Sequence, residues 1–415
     1  MSENVDRFSK TERKLLSFTN AGHFFTHALV LIFPSITTPL MAEFGLEAHE
    51  VLRLSFFMYL FYGIGALPSG LLADRVHPRI TFTLFFTGVG LMSILTFFSK
   101  STLQFQISLM FMGMFLSMYH PLGIGLISKA VRRRGAALGI NGVFGSIGIA
   151  SAPFVAGIIS YLLGWRYTYL VLGIPPLFLG LLLYSTGLDY TLVESGADNG
   201  KEGTDTSNVR AFAVLCISMC LAGFVYRGQT LLLPRHFERN VHFLYNFVSS
   251  FDFMKLEGTK TLAATILISF VYMIGVIGQL IGGKVADSVD LRYAYFFIFL
   301  AILPFLPMLY FFRDIPLFAV SLVFILLLIG MQPVENSLIA QFTPVRWRST
   351  SYGIKFIVTF GISSSVIYPI GFFQTRFSPE APFLLFFLVT LLLVVNNGVI
   401  IALTGKLQTS TDHTP

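Results

Sequence analysis

Gly70-Leu-Leu-Ala-Asp74-Arg75-Val-His77-Pro78-Arg79 follows one long apolar run, and Gly283-Lys-Val-Ala-Asp287-Ser-Val-Asp-Leu-Arg292 follows another, 213 positions later. Glycine and aspartate recur at the same spacing. A polar loop repeated between apolar segments is the mark of a chain built from two similar halves, an organisation common in secondary transporters.

Composition sets the solvent. With 54% hydrophobic and 12% charged residues and a mean hydropathy of +0.75, the 415-residue chain lies outside the soluble range. Apolar runs of about 20 residues, enough to cross roughly 30 Å of hydrocarbon, recur about twelve times. They cover 15–41, 51–73, 79–99, 104–129, 135–160, 165–186, 211–233, 261–286, 292–312, 315–341, 349–374 and 381–404. The first run is too long for a signal-peptide core and has no small-residue cleavage site behind it, so no cleaved signal is read.

Charge orients the spans. With both termini inside, about 17 Lys and Arg fall on the inner side and about 9 on the outer. The inner set includes Arg13, Lys14, Arg75, Arg79, Lys129, Arg132, Arg133, Arg134, Arg346 and Arg348. The net charge of +7 is therefore topological, and no nucleic-acid partner follows from it. Cys216 and Cys220 sit inside the seventh run, where neither a structural disulfide nor a zinc site fits. With no glycosylation sequon either, the pattern suits a bacterial inner membrane protein with cytoplasmic termini.

Between Asp189 and Arg210 the chain turns polar and small, which is linker chemistry. The expected organisation is a cytoplasmic stretch 1–14, a six-helix bundle 15–188, a linker 189–210, a second six-helix bundle 211–404 and a tail 405–415. The repeat extends beyond the loops: Phe24, His27, Leu31 and Pro34 align, 200 positions on, with Phe224, Arg227, Leu231 and Pro234. Segment 235–260 is longer than its first-half counterpart and mixes aromatics with charges. It reads as an outer interfacial loop or a substrate lid.

Over positions 15 to 405 these residues resemble the major facilitator superfamily. Gly70 to Arg79 is similar to its loop between helices two and three, with His77 and Pro78 in place of the usual glycine and first basic residue. The resemblance implies an all-α fold of twelve transmembrane helices in two pseudo-symmetric bundles. It also implies a cytoplasmic gate at Gly70, Asp74, Arg75, Arg79 and Asp287, closing on the eleventh helix near Arg348 to Ser351. A glycine permits close approach there, and an aspartate can sit at a helix N-terminus. Gly139, Gly148, Pro153 and Gly157 in the fifth helix look like the family's antiporter motif, with Gly275, Gly278 and Gly282 of the eighth as packing candidates. Small residues pack closely without any such role. Gly22-His23, Pro34, Pro39 and Tyr119-His120-Pro121 resemble the fosmidomycin-resistance-like branch of drug exporters, which implies proton-driven export of small, often anionic or amphiphilic compounds.

Ionisable groups at membrane depth cost roughly 2.5–3.5 kcal/mol each on insertion scales, so those retained face a cavity or a partner. His23 and His27 share one face of the first helix. With His120, Arg227, Gln332 and Asn336 they form the expected substrate site. His27 and Arg227 occupy equivalent repeat positions and should face one central cavity, although snorkelling of Arg227 toward the outer end at Pro234 competes. Glu335 and Lys355 flank a short loop and can pair. A pair that breaks with protonation couples transport to protons, whereas a permanent pair is a brace. His23, His27 and His120 are also proton-relay candidates, because histidine titrates near neutral pH. His120 precedes Pro121, as Gln332 precedes Pro333, so kinks in both helices should open room at the site.

No nucleotide fingerprint, Walker loop or nucleophile elbow survives inspection, so the chain reads as no enzyme, without cofactor or resident metal. The expectation is a monomeric secondary transporter whose partners are protons, lipid and a small-molecule substrate. Export of an anionic or amphiphilic compound leads; uptake of an organic anion such as a carboxylate or siderophore, and a non-transporting sensor, are the alternatives.

Overall fold

The computed structural model describes residues 8–186, 208–251, 258–344 and 347–405; the side chains of Asp74, Arg348 and Ser349 also lie outside the description. Most of the expected linker, the start of the N-terminal stretch, all but the first residue of the tail and part of the 235–260 segment therefore fall outside the described residues.

Twelve helices are long and apolar enough to span a membrane. They are α1 Lys10–Ser35, α2 Ala48–Ala73, α3 Pro78–Phe97, α4 Thr102–Ala130, α5 Arg134–Leu163 and α6 Trp165–Thr186. The second set is α7 Val209–Asn240, α8 Thr259–Ser288, α9 Leu291–Phe311, α10 Asp314–Phe342, α11 Thr350–Arg376 and α12 Pro382–Thr404. The described residues contain no strand, and the fold is all-α. In hydrocarbon only internally bonded helices or closed barrels are affordable, so a continuous apolar run has one outcome here.

Polar residues mark the helix starts. Ser9 and Glu12 form a reciprocal capping box at α1, and Glu12 also accepts a 3.0 Å bond from the Arg132 backbone, tying α1 to the loop before α5. Ser101 caps α4 and Asn208 caps α7 by accepting from Gln104 N and Ala211 N.

The repeat reappears as packing. In the first half α1 packs on α5, α2 on α4 and α3 on α6; in the second, α7 packs on α11, α8 on α10 and α9 on α12. The halves meet where α5 lies along α8 and α2 crosses α11. At that crossing the backbones of Gly63 and Gly361 touch, leaving no room for a β-carbon.

Several expectations are corrected by these contacts. Gly70 faces Pro121 of α4 rather than α11, because the close approach to α11 is made two turns earlier by Gly63. Gly275, Gly278 and Gly282 share one face, and that face meets Ile329, Leu326 and Gly330 of α10, not α5. Of the α5 motif, Gly148 admits the Phe24 backbone and Gly157 admits Thr265 of α8, whereas nothing lies within 4 Å of where a Gly139 β-carbon would be. α4 is interrupted at Ser117 and Met118, just before His120-Pro121, but α10 runs unbroken through Pro333.

α11 is irregular in its middle. A π-helical turn, Ile357–Gly361, is followed by a tight 3₁₀ turn, Ile362–Val366. Such turns inside membrane helices are tolerated only where neighbours satisfy the backbone, and they often mark functional positions. This one faces the centre of the molecule.

Candidate functional site

Among the described residues, three clusters gather the ionisable side chains of the central helices α1, α4, α7, α10 and α11. The first is built by α1 and α4. His27 Nε2 lies 3.2 Å from His23 Nε2, and His23 Nδ1 lies 2.8 Å from the carbonyl oxygen of Asn141 on α5. A carbonyl can only accept, so His23 Nδ1 carries the proton. Tyr119 stacks on the His23 ring at 4.9 Å and donates to Asn141 Oδ1 and to the Thr19 carbonyl. Asn141 in turn donates to Asn20. The Tyr62 hydroxyl of α2 lies 3.1 Å from His120 Nε2. A β-carbon on Gly145 would come within 2.5 Å of His23 Nε2, so this glycine makes the space the ring occupies.

The second cluster surrounds Arg227 of α7. Its side chain is 1% exposed, so it does not snorkel. The guanidinium lies 3.8 Å from the Tyr59 ring centre and 5.7 Å from that of Phe360, and its Nε has no hydrogen-bond partner. Among the described residues no carboxylate forms an ion pair with it. The hydroxyl of Tyr272 is likewise buried without a partner.

Phe356 and Phe360 connect these clusters. They stack on each other at 5.7 Å; Phe356 also stacks on His120 at 4.9 Å, and Phe360 contacts Tyr62 at 5.2 Å. An aromatic column from α11 therefore closes the space between the first-half histidines and the second-half arginine.

The third cluster links α9, α10 and α11. Lys355 Nζ pairs with Glu335 Oε1 at 2.9 Å and donates to Asn336 Oδ1 at 2.6 Å, while the Tyr295 hydroxyl donates to Glu335 Oε2 at 2.6 Å. Glu335 is 1% exposed and Lys355 7%. Asn336 belongs to this cluster, its carbonyl also accepting from Tyr352.

Gln332 is elsewhere. It accepts from Gln279 of α8, whose amide oxygen accepts from Ser146 of α5, so the three form a ladder across the contact between halves. Of the expected gate, Arg75 and Asp287 are exposed, and Arg79 is bound to the Tyr184 carbonyl and lies 5.6 Å over its ring. That contact stays inside the first half, because Arg79 begins α3 beside the end of α6. The Asp74 side chain lies outside the description.

Opposite the face where α1 starts, Glu238 of α7 accepts from Thr38 after α1 at 2.5 Å and from Thr261 of α8 at 2.8 Å, and Arg235 donates to Thr38 at 2.9 Å. Beside this latch lies a cavity of about 310 Å³ lined by Glu47, His49, Arg235, His236, Arg239 and Glu380, among others. Asn240 and Arg239 hold the Glu380 carboxyl below its ordinary value although burial works in the other direction.

Sequence reasoning missed Tyr59, Tyr62, Phe356, Phe360, Tyr295 and Gly145. Buried aromatics are indistinguishable in a sequence from lipid-facing ones, and α11's π turn has no sequence signature.

Comparison with known proteins fits this architecture. Residues 16–368 match the family model of the Major Facilitator Superfamily. A protein of Escherichia coli (strain K12) named as an L-galactonate transporter is 25% identical over 185 residues, 44% of this chain; the match spans only 40% of that protein. NiaP of Bacillus subtilis (strain 168), named as a niacin/nicotinamide transporter, is 26% identical over 304 residues, 68% of this chain and 74% of that one. Among solved structures, an inward-facing, occupied bacterial homolog of the human lysosomal transporter Spinster superposes with a TM-score of 0.73 at 13% identity, covering 98% of this chain and 100% of the other. That likeness concerns the fold.

Proposed function

The chain belongs to the major facilitator superfamily, and we propose that it is a proton-coupled secondary transporter of a small organic anion, with Arg227 as the anion contact. The supporting observation is the charge of Arg227, buried at 1% exposure against Tyr59 and, among the described residues, in an ion pair with no carboxylate. A desolvated cation–π contact offers about 2 kcal/mol, whereas burying an ion costs several kcal/mol after relaxation. The deficit favours a ligand that brings its own negative charge. A carboxylate can take two parallel hydrogen bonds from a guanidinium, which a ring face cannot match.

His23, His27, His120, Tyr59 and Tyr62 line the first-half side of this path, and Phe356 and Phe360 close it. Glu335 is the proton acceptor in this reading. Protonation removes the charge that holds Lys355 at 2.9 Å and leaves the lysine on Asn336 alone. α11 then loosens from α10 just where it is already irregular, and its crossing with α2 at Gly63 and Gly361 can open. One proton entering down 100 mV provides about 2.3 kcal/mol. That is sufficient to drive roughly a fiftyfold gradient of a neutral solute.

The relatives named for L-galactonate and for niacin/nicotinamide support a carboxylate substrate in so far as galactonate and niacin carry that group, which nicotinamide lacks. Export is the direction implied by the fosmidomycin-resistance-like residues Gly22-His23 and Tyr119-His120-Pro121, and uptake is its alternative. The reading places the chain in a bacterial inner membrane with both termini inside.

The test is proton and solute flux in proteoliposomes over a panel of organic anions and cations. Anion flux should follow the proton gradient in the wild type, lose its gradient dependence in Glu335→Gln and fall at least tenfold in Arg227→Ala. Equal transport by both variants, or a preference for cations, overturns the proposal. Accumulation in inverted vesicles under an inside-acid gradient identifies export.

A further inference from the structure

We infer that His23, His27 and His120 form a binding site for a first-row transition-metal dication such as Zn²⁺, independently of the transport reading. One ring nitrogen from each residue lies within 4.8 Å of the other two. Tetrahedral zinc with bonds of about 2.0–2.1 Å to imidazole nitrogen separates its ligands by about 3.3 Å. His23 and His27 Nε2 already stand 3.2 Å apart. Bringing the His120 nitrogen from within 4.8 Å to that spacing completes three edges of the tetrahedron.

The surroundings are those of a prepared ligand set. Two histidines four residues apart on one helical face are an established zinc-binding arrangement. His23 Nδ1 donates to the Asn141 carbonyl, which fixes the tautomer so that Nε2 offers its lone pair. Asn141 is itself held by Tyr119 and Asn20, and Tyr119 stacks on the His23 ring. Metal binding requires His27 to carry its proton on Nδ1 rather than Nε2, an exchange of tautomer without net proton release. Gly145 keeps the approach to His23 Nε2 clear, since a β-carbon there would stand 2.5 Å from that atom.

Three neutral imidazoles leave the dication's charge uncompensated and its fourth position open, as in three-histidine zinc sites. The Tyr62 hydroxyl, 3.1 Å from His120 Nε2, is placed to bond a water or anion there. The sequence put these three histidines in one site but not their ring nitrogens within 4.8 Å of one another, since His120 joins the pair from 93 positions away.

The test uses purified, untagged full-length protein in detergent, titrated with Co²⁺ and followed by visible absorption, then with Zn²⁺ in competition. The expected result is one Co²⁺ per chain with the intense bands of tetrahedral coordination, displaced by Zn²⁺. His27→Ala should abolish these bands, and Gly145→Ala, which removes no ligand, should weaken binding at least tenfold. His49→Ala, at the far-side cavity, should bind as wild type. Circular dichroism and monodisperse elution establish that each variant is folded. Absence of saturable binding, octahedral spectra only, or equal binding by folded His27→Ala overturns the inference.

Discussion

Lys355 and Arg227 are both buried cations of the second half, and they are neutralised differently. Lys355 has Glu335 at 2.9 Å and Asn336 at 2.6 Å; Arg227 has the faces of Tyr59 and Phe360. Insertion costs alone would eliminate either residue, so each is retained for what it meets. The lysine's partner is part of the chain. The partner proposed for the arginine is a substrate anion. The same contrast separates the halves: the first offers imidazoles and phenols, and the second carries the arginine, lysine and glutamate of the three clusters.

Four changes break or sharpen this contrast. Glu335→Gln converts Lys355 into a cation without its carboxylate, and removing one member of a buried pair costs about 3–5 kcal/mol. Thermal unfolding in detergent should show that loss, and Glu335→Gln combined with Lys355→Gln should recover much of it. If a brace were the pair's whole role, the recovered double variant would also regain proton dependence; a switch predicts that it does not.

Arg227→Gln should leave stability near wild type or raise it, because among the described residues no carboxylate pairs with that charge. Its effect falls on anion affinity, by about 1.5–3 kcal/mol for a lost charged hydrogen bond, or roughly 10- to 150-fold in Kd by titration calorimetry. Tyr295→Phe removes one donor from Glu335 while Lys355 remains, so a loss of about 1 kcal/mol is expected, read as a lower unfolding temperature in detergent.

The smallest effect belongs to a third cation, Arg292, which donates to Asp290 at 2.6 Å near the membrane surface and holds the α12 end through Thr404 at 2.7 Å. The Arg292 hydrogen bonds lower the Asp290 carboxyl from its ordinary 3.8. A lowered carboxylate stabilises the fold fully above the unfolded value and loses that contribution as pH falls through the folded one. Unfolding temperatures of wild type and Asp290→Asn should therefore differ at pH 6 and converge below about pH 3, within a few degrees throughout.

The sequence revealed the parts of this arrangement that have a local signal. Apolar runs and the Gly-x-x-x-Asp repeat gave the spans and the two-part fold, since lipid permits a long apolar run little besides a helix. Glu335 and Lys355 were legible because a short loop forces their helices to be neighbours. Arg227 stood out as a charge at depth. Interfaces were less legible: Gly70, Gly275 and Gly278 looked like contacts between halves, but a glycine face does not state which helix it meets. Gln332 aligned with His120 in the repeat, yet it joins Gln279 and Ser146, a partnership across helices that alignment within one chain does not announce. The aromatic column of Phe356 and Phe360 depends on a π turn that no spacing rule announces.

The central claim is that Arg227, and not Lys355, awaits an anion. Calorimetric titration of a series of small carboxylates into wild type, Arg227→Gln and Lys355→Gln tests it most directly. The account predicts saturable binding by the wild type, retained in Lys355→Gln within a fewfold and lost in Arg227→Gln. Binding that survives in Arg227→Gln and disappears in Lys355→Gln would contradict it.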